Sequence, residues 1–156
     1  MYTHVLVGTD GSATAARAVD AAARLAHAHG ARLTVVHAFD PRPAREVPEP
    51  AGIGDELGWR LTPGGAAEVL VRDAAEQAQA AACGALDVDV RAEPGQPVPV
   101  LLRAVLDVEP DAVVVGNADL RRPRLRRGIG PSLSRKADVD VIIVDTTSDR
   151  TGLLAS

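Results

Sequence analysis

Two glycine-rich stretches hold the residues of this chain best suited to chemistry. The first is Gly8-Thr9-Asp10-Gly11-Ser12. Its small residues let a ligand come close to the backbone, and the Asp10 carboxylate can accept a hydrogen bond from a base or ribose, or help to hold a hydrated cation. The same five residues also read as a plain strand-to-helix turn, in which Ser12 caps the helix and Asp10 sits near its positive end. The second stretch begins Gly116-Asn117-Ala118-Asp119, runs through Arg121, Arg122, Arg124, Arg126 and Arg127, and ends on Gly128-Ile129-Gly130-Pro131-Ser132. Glycine turns ahead of a helix aim N–H groups at phosphate, and the hydroxyl of Ser132 or Ser134 can donate as well. Five arginines less the one charge of Asp119 leave +4 here, in a chain whose net charge is −4. Guanidinium forks at that density suit a phosphate, a nucleotide or an acidic partner. A solvated arginine-rich loop is the plainer account, and both readings stay open.

Elsewhere the reactive side chains are sparse. His37 closes a β-rich run and reads as a strand-end histidine, while His4, His27 and His29 have no metal-ligand partners at useful spacing. Cys83 falls near the end of an alanine-rich helical segment and reads as packing. No G-x-S-x-G elbow, Walker A segment or H-E-x-x-H motif occurs, so no catalytic role is expected beyond at most slow nucleotide hydrolysis.

The elements that must position these residues follow from periodicity. Residues 3–8 (THVLVG) form a short β-rich run, Ser12 is a helix cap, and residues 13–29 carry an apolar stripe of Val19, Ala22, Ala23 and Ala26 that stops at Gly30. Residues 31–38 return as a strand, which makes a right-handed βαβ unit. From 39 to 65 periodicity fails among prolines and glycines, and a long loop is expected. Residues 66–83 resume helical spacing and 87–93 alternate as a strand. Val98, Leu101, Leu102 and Val105 mark a helix with Pro99 in its first turn. Residues 111–116 (DAVVVG) read as a strand buried on both faces. Leu133 and Ala137 mark a short helix, and residues 139–145 (VDVIIVD) a last strand, with Val139, Val141 and Ile143 on one face and Ile142 and Val144 on the other. Five strands alternating with four helices predict a doubly wound α/β fold in one domain over residues 1–147, with 148–156 as a frayed tail. Ligands of such sheets bind beyond the carboxyl ends of the strands, where strand order reverses.

Composition excludes several partners. The chain has 156 residues, 17 basic against 21 acidic, so nothing in its global charge draws it to nucleic acid or anionic membrane. Tyr2, Phe39 and Trp59 are its only aromatics, too few for a base-stacking platform. One cysteine rules out an internal disulfide and suits the cytoplasm. No apolar stretch approaches the roughly 20 residues that span a bilayer, and the amino terminus lacks a leader pattern.

Taken in order, VLVGTDGS at 5–12, Gly95-Gln96-Pro97, DAVVVGN at 111–117 and ADVDVIIVDTT at 137–147 resemble the universal stress proteins. The resemblance covers about residues 3–147. It implies a five-stranded Rossmann-like sheet of the adenine nucleotide alpha hydrolase-like type, a homodimer through the last strand, and a stress-response regulator. It further implies a site for ATP or cyclic AMP, with Mg as a companion of the nucleotide, between the first and fourth strands. Carried over residue by residue, that site comprises Gly8, Thr9, Asp10, Ala38, Gly95, Gly116, Asn117, Arg127, Gly128, Gly130 and Ser132. Ala38 matches the position that borders adenine in ATP-binding relatives. Those relatives carry Gly, two residues, Gly, nine residues, Gly, then Ser or Thr. Gly116 matches the first glycine, but Asp119 stands at the second, and the last pair falls on Ile129 and Gly130, or on Arg127 and Gly128 when the count is anchored at Ala137. Asp119 brings a side chain and a negative charge where the family brings bare backbone to a polyphosphate. A member that has lost ATP binding and acts through protein–protein contacts is therefore the alternative.

Overall fold

The computed structural model describes residues 1–42, 62–116 and 139–144. Strand β1 (His4–Gly8) is followed by helix α1 (Ala13–His29), whose limits are those read from sequence. Both ends of α1 are set locally. The Ser12 hydroxyl accepts from the Ala15 N–H at 3.1 Å, and Gly30 terminates the helix with φ 65°, a left-handed conformation that costs a residue without Cβ little. Strand β2 (Arg32–Phe39) comes next, then helix α2 (Pro63–Ala81), strand β3 (Val88–Pro94), helix α3 (Pro97–Val108), strand β4 (Ala112–Gly116) and strand β5 (Asp140–Val144).

The strands run parallel in the order β3-β2-β1-β4-β5. Val7 lies opposite Val35 of β2 and Val114 of β4, so the centre of the sheet is an aliphatic ladder buried on both faces. One face (Val5, Val7, Leu33, Val35, Val114) packs against the small residues Ala18, Ala22, Ala23 and Ala26 of α1 and Ala74 and Ala78 of α2. The other (Leu6, Val36, Val113, Val115) packs against Val100, Leu101, Ala104 and Val105 of α3.

Three expectations need correction. Helix α2 begins at Pro63 rather than 66, because Thr62 caps it through the Gly65 N–H at 3.0 Å and Pro63 needs no donor in the first turn; Gly64 and Gly65 are helical, not part of the loop. Cys83 is not packed. It lies beyond the helix end, exposed, with φ 56°. On α3 the buried stripe is Val100, Leu101, Ala104 and Val105, with Val98 and Leu102 only partly covered. The helix expected around Leu133 and Ala137, most of the loop from 39 to 65, and the tail lie outside the described residues. No helix among the described residues is long and apolar enough to cross a membrane.

Candidate functional site

Strand order reverses between β1 and β4: the chain builds outward from β1 through β2 to β3, then crosses back to β4 on the other side. Where neighbouring strands feed crossovers on opposite faces, their carboxyl ends leave a crevice. Gly8, Thr9 and Asp10 leave β1 on one side of it and Gly116 ends β4 on the other.

The loop after β1 is held by its own groups. Thr9 N–H continues the ladder to the Val36 carbonyl at 2.9 Å, the Thr9 hydroxyl accepts from the Gly11 N–H at 3.2 Å, and Asp10 Oδ1 accepts from the Ser12 N–H at 2.9 Å. The plainer reading of Ser12 and Asp10 as cap and turn residues is thus realised. It leaves Asp10 exposed at the mouth of the crevice. Two of the glycines answer to packing. A Cβ on Gly116 would stand 3.2 Å from Thr14 Cγ2 and 3.4 Å from the Thr14 carbonyl oxygen, so the first turn of α1 passes directly over the end of β4. Gly95 has φ 135°, donates its N–H to the Phe39 carbonyl at 2.9 Å, and would bring a Cβ to 3.1 Å from Val100, which makes it the pivot of the β3–α3 turn. Ala38 lies opposite Glu93 near the carboxyl end of β2, partly exposed, one strand away from Thr9.

Of the eleven residues singled out from sequence, Gly8, Thr9, Asp10, Ala38, Gly95 and Gly116 thus share the carboxyl edge of the sheet. Asn117, Arg127, Gly128, Gly130 and Ser132 lie outside the described residues, as do Asp119 and the arginines between. A groove of about 310 Å³ opens on the other side of the Thr9–Ser12 loop, between α1 and α2, with Leu70 and Val69 on its wall and Gln77 at its far end. Gln77 Nε2 donates to the Ala16 carbonyl and to Asp20 Oδ1, both at 2.8 Å, tying the two helices together.

One residue at this edge was read from the sequence without a part in the site. His37 Nδ1 lies 2.7 Å from the Thr9 carbonyl oxygen. A carbonyl oxygen only accepts, so the ring donates through Nδ1. The sequence set it at the strand end, whereas β2 continues through Ala38 to Phe39; the contact spans 28 residues and no local spacing announces it.

The comparisons agree with this fold. The model of the Universal stress protein family matches residues 1–145. The chain is 37% identical over 148 residues to Universal stress protein Rv1636 of Mycobacterium tuberculosis (strain ATCC 25618 / H37Rv), covering 94% of this chain and 98% of that one. The crystal structure of that protein is similar with a TM-score of 0.56 at 36% identity, over 94% and 97% of the two chains. The crystal structure of a universal stress protein in complex with cAMP is similar with a TM-score of 0.71 at 31% identity, over 94% and 98%.

Proposed function

Because the chain belongs to the universal stress protein family, we propose that it is a stress-response regulator that binds an adenine nucleotide, ATP or cyclic AMP, in the crevice between the carboxyl ends of β1 and β4. The observation that carries this reading is the reversal of strand order at β1 and β4, which sets Thr9 and Asp10 beside Gly116 at the one place where an open parallel sheet offers a ligand crevice. A relative 31% identical to this chain has been solved with cAMP, which supports the choice of ligand. In the proposal Gly8, Thr9, Asp10, Ala38 and Gly116 face the nucleoside. Asn117, Arg127, Gly128, Gly130 and Ser132 meet the phosphates, and Gly95 shapes the neighbouring turn.

The role is binding rather than turnover. The side chains of the Thr9–Ser12 loop are already engaged: the Thr9 hydroxyl and Asp10 Oδ1 hold the N–H groups of Gly11 and Ser12, and the Ser12 hydroxyl caps α1 through the Ala15 N–H. The described residues contain no cluster of three or more His, Cys, Asp or Glu side chains suited to a metal ion, so Mg would arrive on the oxygens of a triphosphate, with the exposed Asp10 carboxylate available to its hydration shell. We place the protein in the cytoplasm, on the ground of its single cysteine, and read residues 1–147 as its one domain. We further propose a homodimer through β5.

Asp119 favours a second reading, in which triphosphate binding is lost and the protein acts through protein contacts. Calorimetric titration with ATP, ADP and cyclic AMP separates the two. Saturable binding of any of them supports the nucleotide reading, and Asp119→Gly is then expected to tighten ATP several-fold with less effect on cyclic AMP, since it removes one charge facing the longer polyphosphate. Absence of heat with all three at millimolar concentration would leave the protein-contact reading.

A further inference from the structure

We propose that His37 is a positioning residue for nucleotide binding, clamping the Thr9–Asp10 peptide so that the Asp10 N–H is presented to an acceptor atom of the nucleotide. This rests on the nucleotide reading above.

The geometry begins with Thr9, the first residue past β1. Its N–H reaches the Val36 carbonyl of β2 at 2.9 Å, and its carbonyl receives the His37 ring of the same strand at 2.7 Å. In extended backbone the N–H and C=O of one residue point to the same side. Both ends of Thr9 are therefore committed to β2. The peptide that follows is planar and trans, so the Asp10 N–H points opposite to the Thr9 carbonyl, away from β2 and toward the side on which β4 runs. That is the crevice side.

A carbonyl just past a strand end would ordinarily be satisfied by water, which leaves its peptide plane able to swing. The imidazole removes that freedom. His37 is half-buried beside its target, and its Cβ is fixed by a ladder that pairs it with Ala92 of β3. The Thr9 hydroxyl, accepting from Gly11, and Asp10 Oδ1, accepting from Ser12, hold the next two peptides in the same way. His37 thus completes a chain of bonds that pre-forms the loop before any ligand arrives, and a pre-formed donor binds more tightly than one that must be ordered.

The test compares His37→Asn, His37→Gln and His37→Phe by calorimetric titration with ATP and cyclic AMP, with a melting curve for each variant. Asn carries its amide nitrogen on Cγ, where the imidazole carries Nδ1; Gln places it one bond farther out. His37→Asn is expected to retain affinity within about twofold, and His37→Gln and His37→Phe to lose about tenfold, the worth of one hydrogen bond. A side chain that merely filled space would not separate Asn from Gln. Should the Phe variant fail to fold, the Asn and Gln pair still decides. Nitrogen NMR of the nucleotide-free protein gives a second readout: the His37 ring is expected to carry its proton on Nδ1, and an unprotonated Nδ1 overturns the clamp. Equal affinity of all three variants, beside a wild type that binds, overturns the clamp and leaves the nucleotide reading standing. A wild type that binds neither nucleotide overturns that reading and the proposal that rests on it.

Discussion

His4 and Thr34 are the polar side chains that the described core encloses, and each satisfies the other: His4 Nε2 lies 2.8 Å from Thr34 Oγ1. The ring also bonds the Val108 carbonyl at the end of α3. Burial pushes the pKa of the His4 imidazole down, and the positive charge of Arg32 adds to this; the Val108 carbonyl and the carboxylates of Asp89 and Asp111 oppose it without prevailing. The unfolded chain therefore binds a proton at this position before the folded one does. Stability from His4 is complete above the unfolded value of 6.5 and is lost as pH falls from there through the lowered folded value. Asp111 acts in a different window. Its carboxylate accepts from Thr3 N–H, His4 N–H and the Thr3 hydroxyl, which holds its pKa below 3.8, so its contribution persists until the solution is more acid still. Chemical denaturation of wild type and His4→Asn between about pH 7 and pH 5 is expected to show a shallower loss of stability in the variant. Equal slopes would mean that His4 does not titrate on unfolding in that range.

At the scale of the element, helix α1 explains the alanine content. Its buried stripe is Ala15, Ala18, Val19, Ala22, Ala23 and Ala26, so it rides close to the sheet with little side chain between. Ala22 is fully buried, and a leucine there has no space to enter. Ala22→Leu is expected to destabilise by about 1–3 kcal/mol, whereas Ala80→Leu on the exposed side of α2 should stay within about 0.5 kcal/mol, measured by urea denaturation. Equal effects at the two sites would contradict close helix–sheet packing. The limits of α1 were legible because its start and stop signals, Ser12 and Gly30, act within a few residues. The start of α2 was misread for a related reason: Gly64 and Gly65 look like loop residues, while Thr62 and Pro63 carry the true signal. Gly65 is buried in the first turn of the helix.

The two edges of the sheet differ at the scale of the molecule. Strand β3 carries Asp89, Arg91 and Glu93 and ends on Pro94; Arg32 pairs with Asp89, and Arg91 pairs with both Glu93 and Asp107. Charges and proline blunt a strand edge against pairing. Strand β5 has neither within Val141–Val144. Ile142 and Val144 pack toward the α1 face, Val139 and Val141 toward the α3 face, and Ile143 remains 42% exposed. No described strand pairs with the outer edge of β5, and the proposed homodimer would set the same strand of a second copy there about a two-fold axis. Ile143→Lys is expected to convert a dimer to monomer in sedimentation, with little change in melting temperature because Ile143 lies outside the core. A wild type already monomeric at high micromolar concentration would count against the β5 dimer.

What the sequence determined by itself was encoded over short distances: the strand runs, the capped limits of α1, the β5 faces, and the family to which their order belongs. Periodicity and caps act between residues a few positions apart, so one chain suffices to read them. Tertiary structure decided which groups meet across strands. His37 reaches Thr9, His4 reaches Thr34, and Tyr2 donates from its hydroxyl to Asp140 at 3.0 Å across 138 residues. Such pairs depend on sheet order and register, which follow from how two faces bury their aliphatic residues at once and leave no mark in local spacing. A strand-end histidine therefore looks unremarkable until β1 is laid beside β2, when its ring and the Thr9 carbonyl come within bonding distance.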